Sequence, residues 1–188
     1  MQMILATRNA HKLQEIARMR PDIQWLPIPA ELPDPPETGH TFVDNALQKA
    51  RFVYEHTGIP ALADDSGLEV DALDGRPGVF SKRYSPEGTD AANNAKLLQE
   101  LAPHANRRAR YRCVLALVCA AGEATVDGTC EGVIGLEARG TNGFGYDPLF
   151  RPLATSGRSC GELSAEEKDA LSHRGAAMQR LPELLRIL

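Results

Sequence analysis

The chain has 188 residues, 43% of them apolar and 24% charged, with a formal net charge of -4. That length buries a substantial core as one domain or two closely packed lobes, and the composition excludes wholesale disorder. The small acidic excess argues against a broad surface for a nucleic-acid polymer, yet a local basic pocket around a small anion stays open.

Residues 2–6 read as a first strand, and residues 9–19 as a helix with Leu13, Ile16 and Ala17 at helical spacing. The start has neither the charged opening nor the long apolar stretch of a signal peptide, and no apolar run reaches the length of a membrane span. A cytoplasmic protein without a membrane partner is the expectation. A second strand over residues 23–28 runs into PIPAELPDPPETGH, too rich in proline for regular structure. Thr41 then reads as an N-cap with Asp44 three residues on, and the helix it opens stops at Gly58.

Residues 59–63 read as a buried strand, DDSG as a turn and LEVDAL as a half-buried strand. GRPGVFSKRYSPEG is a loop, and Thr89 opens a helix through Leu101. ARYRCVLALVCA, EATVDGTCEG and GVIGLEARG follow as three consecutive strands joined by short glycine turns, with antiparallel pairing expected. The arginines of RRARYR read as charge guarding a solvated sheet edge. Ser164 and Glu167 form a capping box before a short helix, and Ser172 caps a last helix. Strands alternate with helices early and form a meander late, which gives a mixed α/β class on a twisted sheet. Without repeats, low-complexity tracts or linkers, any lobes are expected to share one core, in a single domain over residues 1–188. Cys113, Cys119, Cys130 and Cys160 contain no Cys-x-x-Cys pair and read as reduced packing residues rather than a zinc site.

Five stretches can carry chemistry. TRNAHK lies at a strand-to-helix junction, where unpaired N–H groups and Lys12 suit a phosphate; Thr7 or Asn9 capping the helix uses the same donors. The P-loop spacing is absent. In ETGHTFVDNALQKA, Glu37 precedes a helix start, while Lys49 and Asn45 share a helical face that reads as exposed. In DDSG the alternation of an extended chain sends Asp64 and Asp65 to opposite sides, so one acid serves a given site and the other pairs with a base or holds the turn. Glu37 with one of these aspartates meets the needs of Mg²⁺, which takes one or two protein carboxylates and leaves the rest to water and phosphate. GFGYDPLF presents an aromatic on a glycine loop, either as core packing or as a platform for a base. In ELSAEEKDALSHRG, His173 and Arg174 open a helix against the dipole preference, which points to a ligand or a solvated run.

In this order the stretches TRNAHK, ETGHTFVDNALQKAR, ADDSGLEVDALDGRPGVFSKRYS, GFGYDPLF and ELSAEEKDALSHRG resemble the inosine triphosphate pyrophosphatase family, over nearly the whole chain. The resemblance favours the metal reading of DDSG over the turn reading. It implies an elongated mixed α/β fold of two lobes with an active-site cleft between them, a homodimer and a Mg²⁺ cofactor. It further implies hydrolysis of ITP, dITP and XTP to the monophosphate and pyrophosphate. Carried over by position, Thr7, Arg8, Asn9, Ala10, His11 and Lys12 hold the triphosphate, with Lys49 also on phosphate. Glu37 and Asp65 bind metal, and Asp65 is the proton acceptor. Ser66, Phe144, Gly145, Tyr146, Asp147, Lys168, His173 and Arg174 contact substrate, with Phe144 or Tyr146 stacking on the base and His173 and Arg174 at its 6-oxo edge. The chain departs from the family pattern at SCG before Glu162, expected to loosen packing beside Lys168, at Asp169 and at Lys82. The rival readings are a pyrophosphatase of modified pyrimidine or standard nucleotides, and a nucleotide sensor without turnover.

Overall fold

The computed structural model describes Met1–Leu188. Six strands form one sheet in the order β2-β1-β3-β4-β5-β6. β1 (Gln2–Leu5) is parallel both to β2 (Gln24–Leu26), with Met3 opposite Trp25, and to β3 (Ala61–Val70), with Leu5 opposite Leu62. β4 (Arg108–Cys119) and β5 (Gly122–Ile134) are neighbours joined by two residues, a connection that only an antiparallel hairpin allows. β6 (Phe150–Pro152) runs antiparallel to β5, with Ile134 opposite Phe150. The mixed α/β class expected from the sequence is the one observed.

The helices are α1 (Ala10–Met19), α2 (Phe42–Thr57), α3 (Asp90–Leu101), α4 (Ala165–Leu171), α5 (His173–Gln179) and α6 (Leu181–Leu184). The starts of α1 to α4 follow caps read from the sequence. Asn9 Oδ1 accepts from the N–H groups of His11 and Lys12, Thr41 Oγ1 from that of Asp44, and Thr89 Oγ1 from that of Ala92. Gly58 ends α2 in the left-handed region at φ 66°. No helix is long and apolar enough to cross a membrane.

Four expectations about elements are corrected. Asp64 to Gly67 form no turn but lie inside β3, because each acid finds its own cations on its own face of the strand. The segment GVIGLEARG is not a third strand: β5 runs unbroken to Ile134, and the chain then turns back, Arg139 donating its N–H to Pro148 O at 2.9 Å. β4 lies between β3 and β5, so its arginines guard no edge. Arg110 instead meets Glu131 at 3.0 Å, Asp71 at 3.2 Å and Glu69 at 3.8 Å. The last helix expected after Ser172 is broken into α5 and α6, the latter starting at Leu181 with Pro182, which lacks the N–H a continuous helix needs, in its first turn.

The chain divides into two compact units, one of Met1–Asp65, Cys113–Gly128 and Arg174–Leu188, the other of Ser66–Arg112 and Thr129–His173. Each has its own apolar cluster rather than a share of one core. Met3, Leu5, Ile16, Leu62, Leu115, Leu117, Met178 and Leu181 belong to the first, and Leu68, Leu97, Leu101, Tyr146, Leu149 and Phe150 to the second. The polar run Asp64, Asp65 and Ser66 separates the apolar ends of β3, which is where one cluster gives way to the other. The four cysteines are free thiols, all buried.

Candidate active site

The candidate residues fall into two groups, one in each unit. In the first, strand alternation gives Asp64 and Asp65 separate partners. Asp65 Oδ1 accepts from Lys49 Nζ at 2.8 Å, and its Oδ2 from Asn45 Nδ2 at 3.3 Å. The same Lys49 Nζ reaches Glu37 Oε1 at 2.8 Å and the carbonyl of Asp64 at 2.8 Å. Two contacts of that length to one nitrogen bring the carboxylates of Glu37 and Asp65 around a single position already holding a positive charge. Lys49 and Asn45 are buried, at 5% and 1% exposure, so the reading of their helical face as exposed is corrected. They sit four residues apart on α2, which aims both at β3.

Burial works against the Lys49 ammonium, but Asp65 and Glu37 outweigh it and hold its pKa above the ordinary value. Burial also raises Asp65 above the usual aspartate, against the pull of Lys49 and Lys12. A site in which two carboxylates require a cation between them, with oxygen donors only, fits a hard divalent ion such as Mg²⁺. No group of three or more His, Cys, Asp or Glu side chains is assembled for a metal.

Asp64, on the opposite face, is fully buried. Its Oδ1 accepts from Lys12 Nζ, and its Oδ2 from Arg174 Nε at 2.8 Å and from the Cys113 thiol at 3.1 Å. Arg174 NH1 also donates to Glu15 Oε2. Burial would push Asp64 upward; Arg174 and Lys12 outweigh it and hold its pKa well below the ordinary value. The unfavourable arginine at the start of α5 is thus answered by the protein's own acids. At the α1 start, the Asn9 side chain takes the N–H groups of His11 and Lys12, Thr7 Oγ1 accepts from the Asn9 N–H at 3.2 Å, and Ala10 is the first helical residue. Arg8 reaches away from this turn to the proline-rich loop.

The second group is built on the Gly143–Gly145 loop. Asp147, 2% exposed, accepts from Lys168 Nζ at 2.6 Å and from the Phe144 N–H at 2.9 Å on Oδ2, and from Tyr111 Oη at 3.4 Å on Oδ1. Lys168 Nζ stands 4.7 Å from the centre of the Phe144 ring. Gly143 has φ 75°, and a Cβ there would meet Asp147 Oδ2 at 2.0 Å, so no other residue fits. His173 stacks on Tyr111, ring centres 4.6 Å apart and planes 13° apart. Gly145 is pinned through its N–H to Asp90 at 2.6 Å and through its carbonyl to Asn94 at 2.9 Å. Tyr146 is a core residue whose hydroxyl bonds Ser81 O at 2.8 Å, while Phe144 is half-buried. Ser66 is half-buried on β3.

SCG packs tightly rather than loosely. Ser159 Oγ bonds Arg139 O at 2.6 Å, Cys160 is 3% exposed in the apolar cluster, and Gly161 N–H bonds Asp147 O at 2.9 Å. Glu15, Cys113 and Tyr111 were not singled out from the sequence as site residues. Their partners lie 159, 49 and 36 residues away, and no local pattern marks them.

A dITP/XTP pyrophosphatase of Geobacter sulfurreducens is 49% identical over 97% of this chain and 96% of its own, and one of Nitratidesulfovibrio vulgaris is 50% identical over 96% and 94%. The structure of a HAM1 protein from Coxiella burnetii covers 100% of both chains at TM-score 0.90 and 42% identity. A nucleoside-triphosphatase / dITP/XTP pyrophosphatase from Mycobacterium abscessus superposes at TM-score 0.79 and 45% identity, covering 96% of this chain and 98% of its own. The Ham1 family model matches residues 3–184, and the chain belongs to that family.

Proposed function

We propose that this chain is a Mg²⁺-dependent pyrophosphohydrolase that converts non-standard purine nucleoside triphosphates, dITP, ITP and XTP, to the monophosphate and pyrophosphate. The observation that carries the reading is the convergence of Glu37 and Asp65 on one cation position. A Mg²⁺ ion held by these two acids would polarise phosphate oxygens and offset the charge that grows on the pyrophosphate.

The chain's own residues supply the rest. Asp65 takes the proton of the attacking water, which displaces pyrophosphate from the α-phosphorus. Lys12 and Lys49 neutralise charge along the triphosphate, assisted by Thr7, Asn9, Ala10 and His11 at the start of α1. Phe144 stacks on the base, and Asp147, Lys168 and His173 present polar groups to it, with Gly145 and Tyr146 shaping the loop and Ser66 and Arg174 completing the set. Donors facing a 6-oxo group leave the 6-amino group of adenine mismatched, at about 1–3 kcal/mol per buried group. The family resemblance supports a homodimer, and the sequence pattern a cytoplasmic single domain over residues 1–188.

The test is incubation with Mg²⁺ and a panel of nucleoside triphosphates, with the phosphorus products identified. Pyrophosphate from dITP, ITP and XTP, and little from ATP or GTP, is the expected result. Preference for pyrimidine or standard nucleotides, release of orthophosphate, or binding without turnover would each replace this reading.

A further inference from the structure

Arg8 lies between Thr7 and Asn9, in the segment that the resemblance assigns to the triphosphate, but its guanidinium is engaged elsewhere. Its NH2 donates to Leu32 O at 2.6 Å and to Pro29 O at 3.3 Å, and its Nε lies 2.8 Å from Asp34 Oδ1. All three partners belong to the proline-rich loop that ends at Glu37. Prolines 27, 29, 33, 35 and 36 have no N–H to give, so the loop is poor in donors with which to order itself. It does make one turn bond, Leu32 N–H to Pro29 O at 3.2 Å, between the two carbonyls that Arg8 holds. Beyond Glu37 the chain is pinned again from α2, Thr38 N–H to Gln48 Oε1 at 3.0 Å and Gly39 N–H to Asn45 Oδ1 at 2.8 Å. Glu37 is therefore held between an anchor from α2 and an anchor from Arg8.

We infer that Arg8 is a positioning residue that latches this loop and so delivers Glu37 to Asp65 and Lys49. The planar fork of the guanidinium suits two carbonyls and a carboxylate at once. The carbonyl bonds carry the latch, since Asp34 is 82% exposed and a pair with it adds little. The inference rests on the proposed metal role of Glu37 for its functional meaning, but the latch itself is open to measurement without metal or nucleotide.

The experiment is limited proteolysis with a glutamate-specific protease, following cleavage after exposed Glu31 in the metal-free, nucleotide-free protein. Cleavage there tracks the population in which the loop has opened. Arg8→Met and Arg8→Gln are expected to raise it about fivefold relative to cleavage elsewhere in the chain, and Asp34→Asn to change it little. In turnover assays the Arg8 variants are expected to raise the Mg²⁺ concentration for half-maximal hydrolysis more than the nucleotide KM. Wild-type cleavage at Glu31 in both Arg8 variants overturns the latch, and a raised nucleotide KM beside it would make Arg8 a phosphate ligand. Were the chain to hydrolyse none of the nucleotides, the proposed function would fail while the cleavage result still decided the latch.

Discussion

Lys49 Nζ stands among Glu37 Oε1, Asp65 Oδ1 and the Asp64 carbonyl, each at 2.8 Å, so its charge is what allows two carboxylates to approach one another. Removing one partner of a buried ion pair leaves the others uncompensated, a cost of about 3–5 kcal/mol. Lys49→Met is expected to lose about 3 kcal/mol in denaturant unfolding, discounted because Glu37 is 40% exposed. Added Mg²⁺ should then raise the Tm of that variant more than that of the parent. Asp65→Asn keeps the size of the side chain and loses the proposed proton acceptor, so turnover of dITP should vanish while nucleotide binding, followed by calorimetry, persists. Retained turnover would remove Asp65 from its role. Both acids of the pair were legible as candidates from their sequence, because adjacent acids after an apolar run and an acid before a helix start are local signals. That Lys49 would be the cation between them was not, since it required α2 to lie against β3.

Among the elements, α2 and β3 teach opposite lessons. α2 begins where its cap says it should: Thr41 accepts from Asp44 N–H at 3.1 Å, and Thr41→Ala should cost about 1 kcal/mol, readable as a shift in the denaturation midpoint. β3 runs straight through the residues that local chemistry reads as a turn. Asp, Ser and Gly favour turns when solvent is their only partner, but here Arg174, Lys12 and the Cys113 thiol face Asp64 while Lys49 and Asn45 face Asp65. The Gly143–Gly145 loop behaves as its glycines predict. Gly143→Ala would drive Asp147 from the Lys168 ammonium, so the KM for dITP should rise by about tenfold or more, given a charged hydrogen bond of roughly 1.5–3 kcal/mol. An unchanged KM would count against the proposed role of Asp147 in organising this loop to bind the base.

Across the whole molecule, Arg174 ties distant parts of the chain together. It sits at the start of α5, 1% exposed, and bonds Glu15 of α1 and Asp64 of β3, residues 159 and 110 positions away. Arg174→Met leaves both acids buried with fewer cations, and the loss should approach 3–5 kcal/mol, enough to remove much of the stability of a domain. Deleting Arg174–Leu188 also strips Met178, Leu181 and Leu184 from the apolar cluster of the first unit. Such a chain should lose the cooperative thermal transition of that unit, seen by circular dichroism.

The sequence by itself determined where α1 to α4 start, the mixed α/β class and the family, because caps, periodicity and motif spacing act over a few residues. Tertiary structure alone decided that DDSG is a strand, that Arg174 answers Asp64 and Glu15, and that Arg8 turns to the proline-rich loop. The first two depend on buried charges brought together from far along the chain, and the third on backbone carbonyls 21 and 24 residues away, and in none of them does a local pattern say which partner is found.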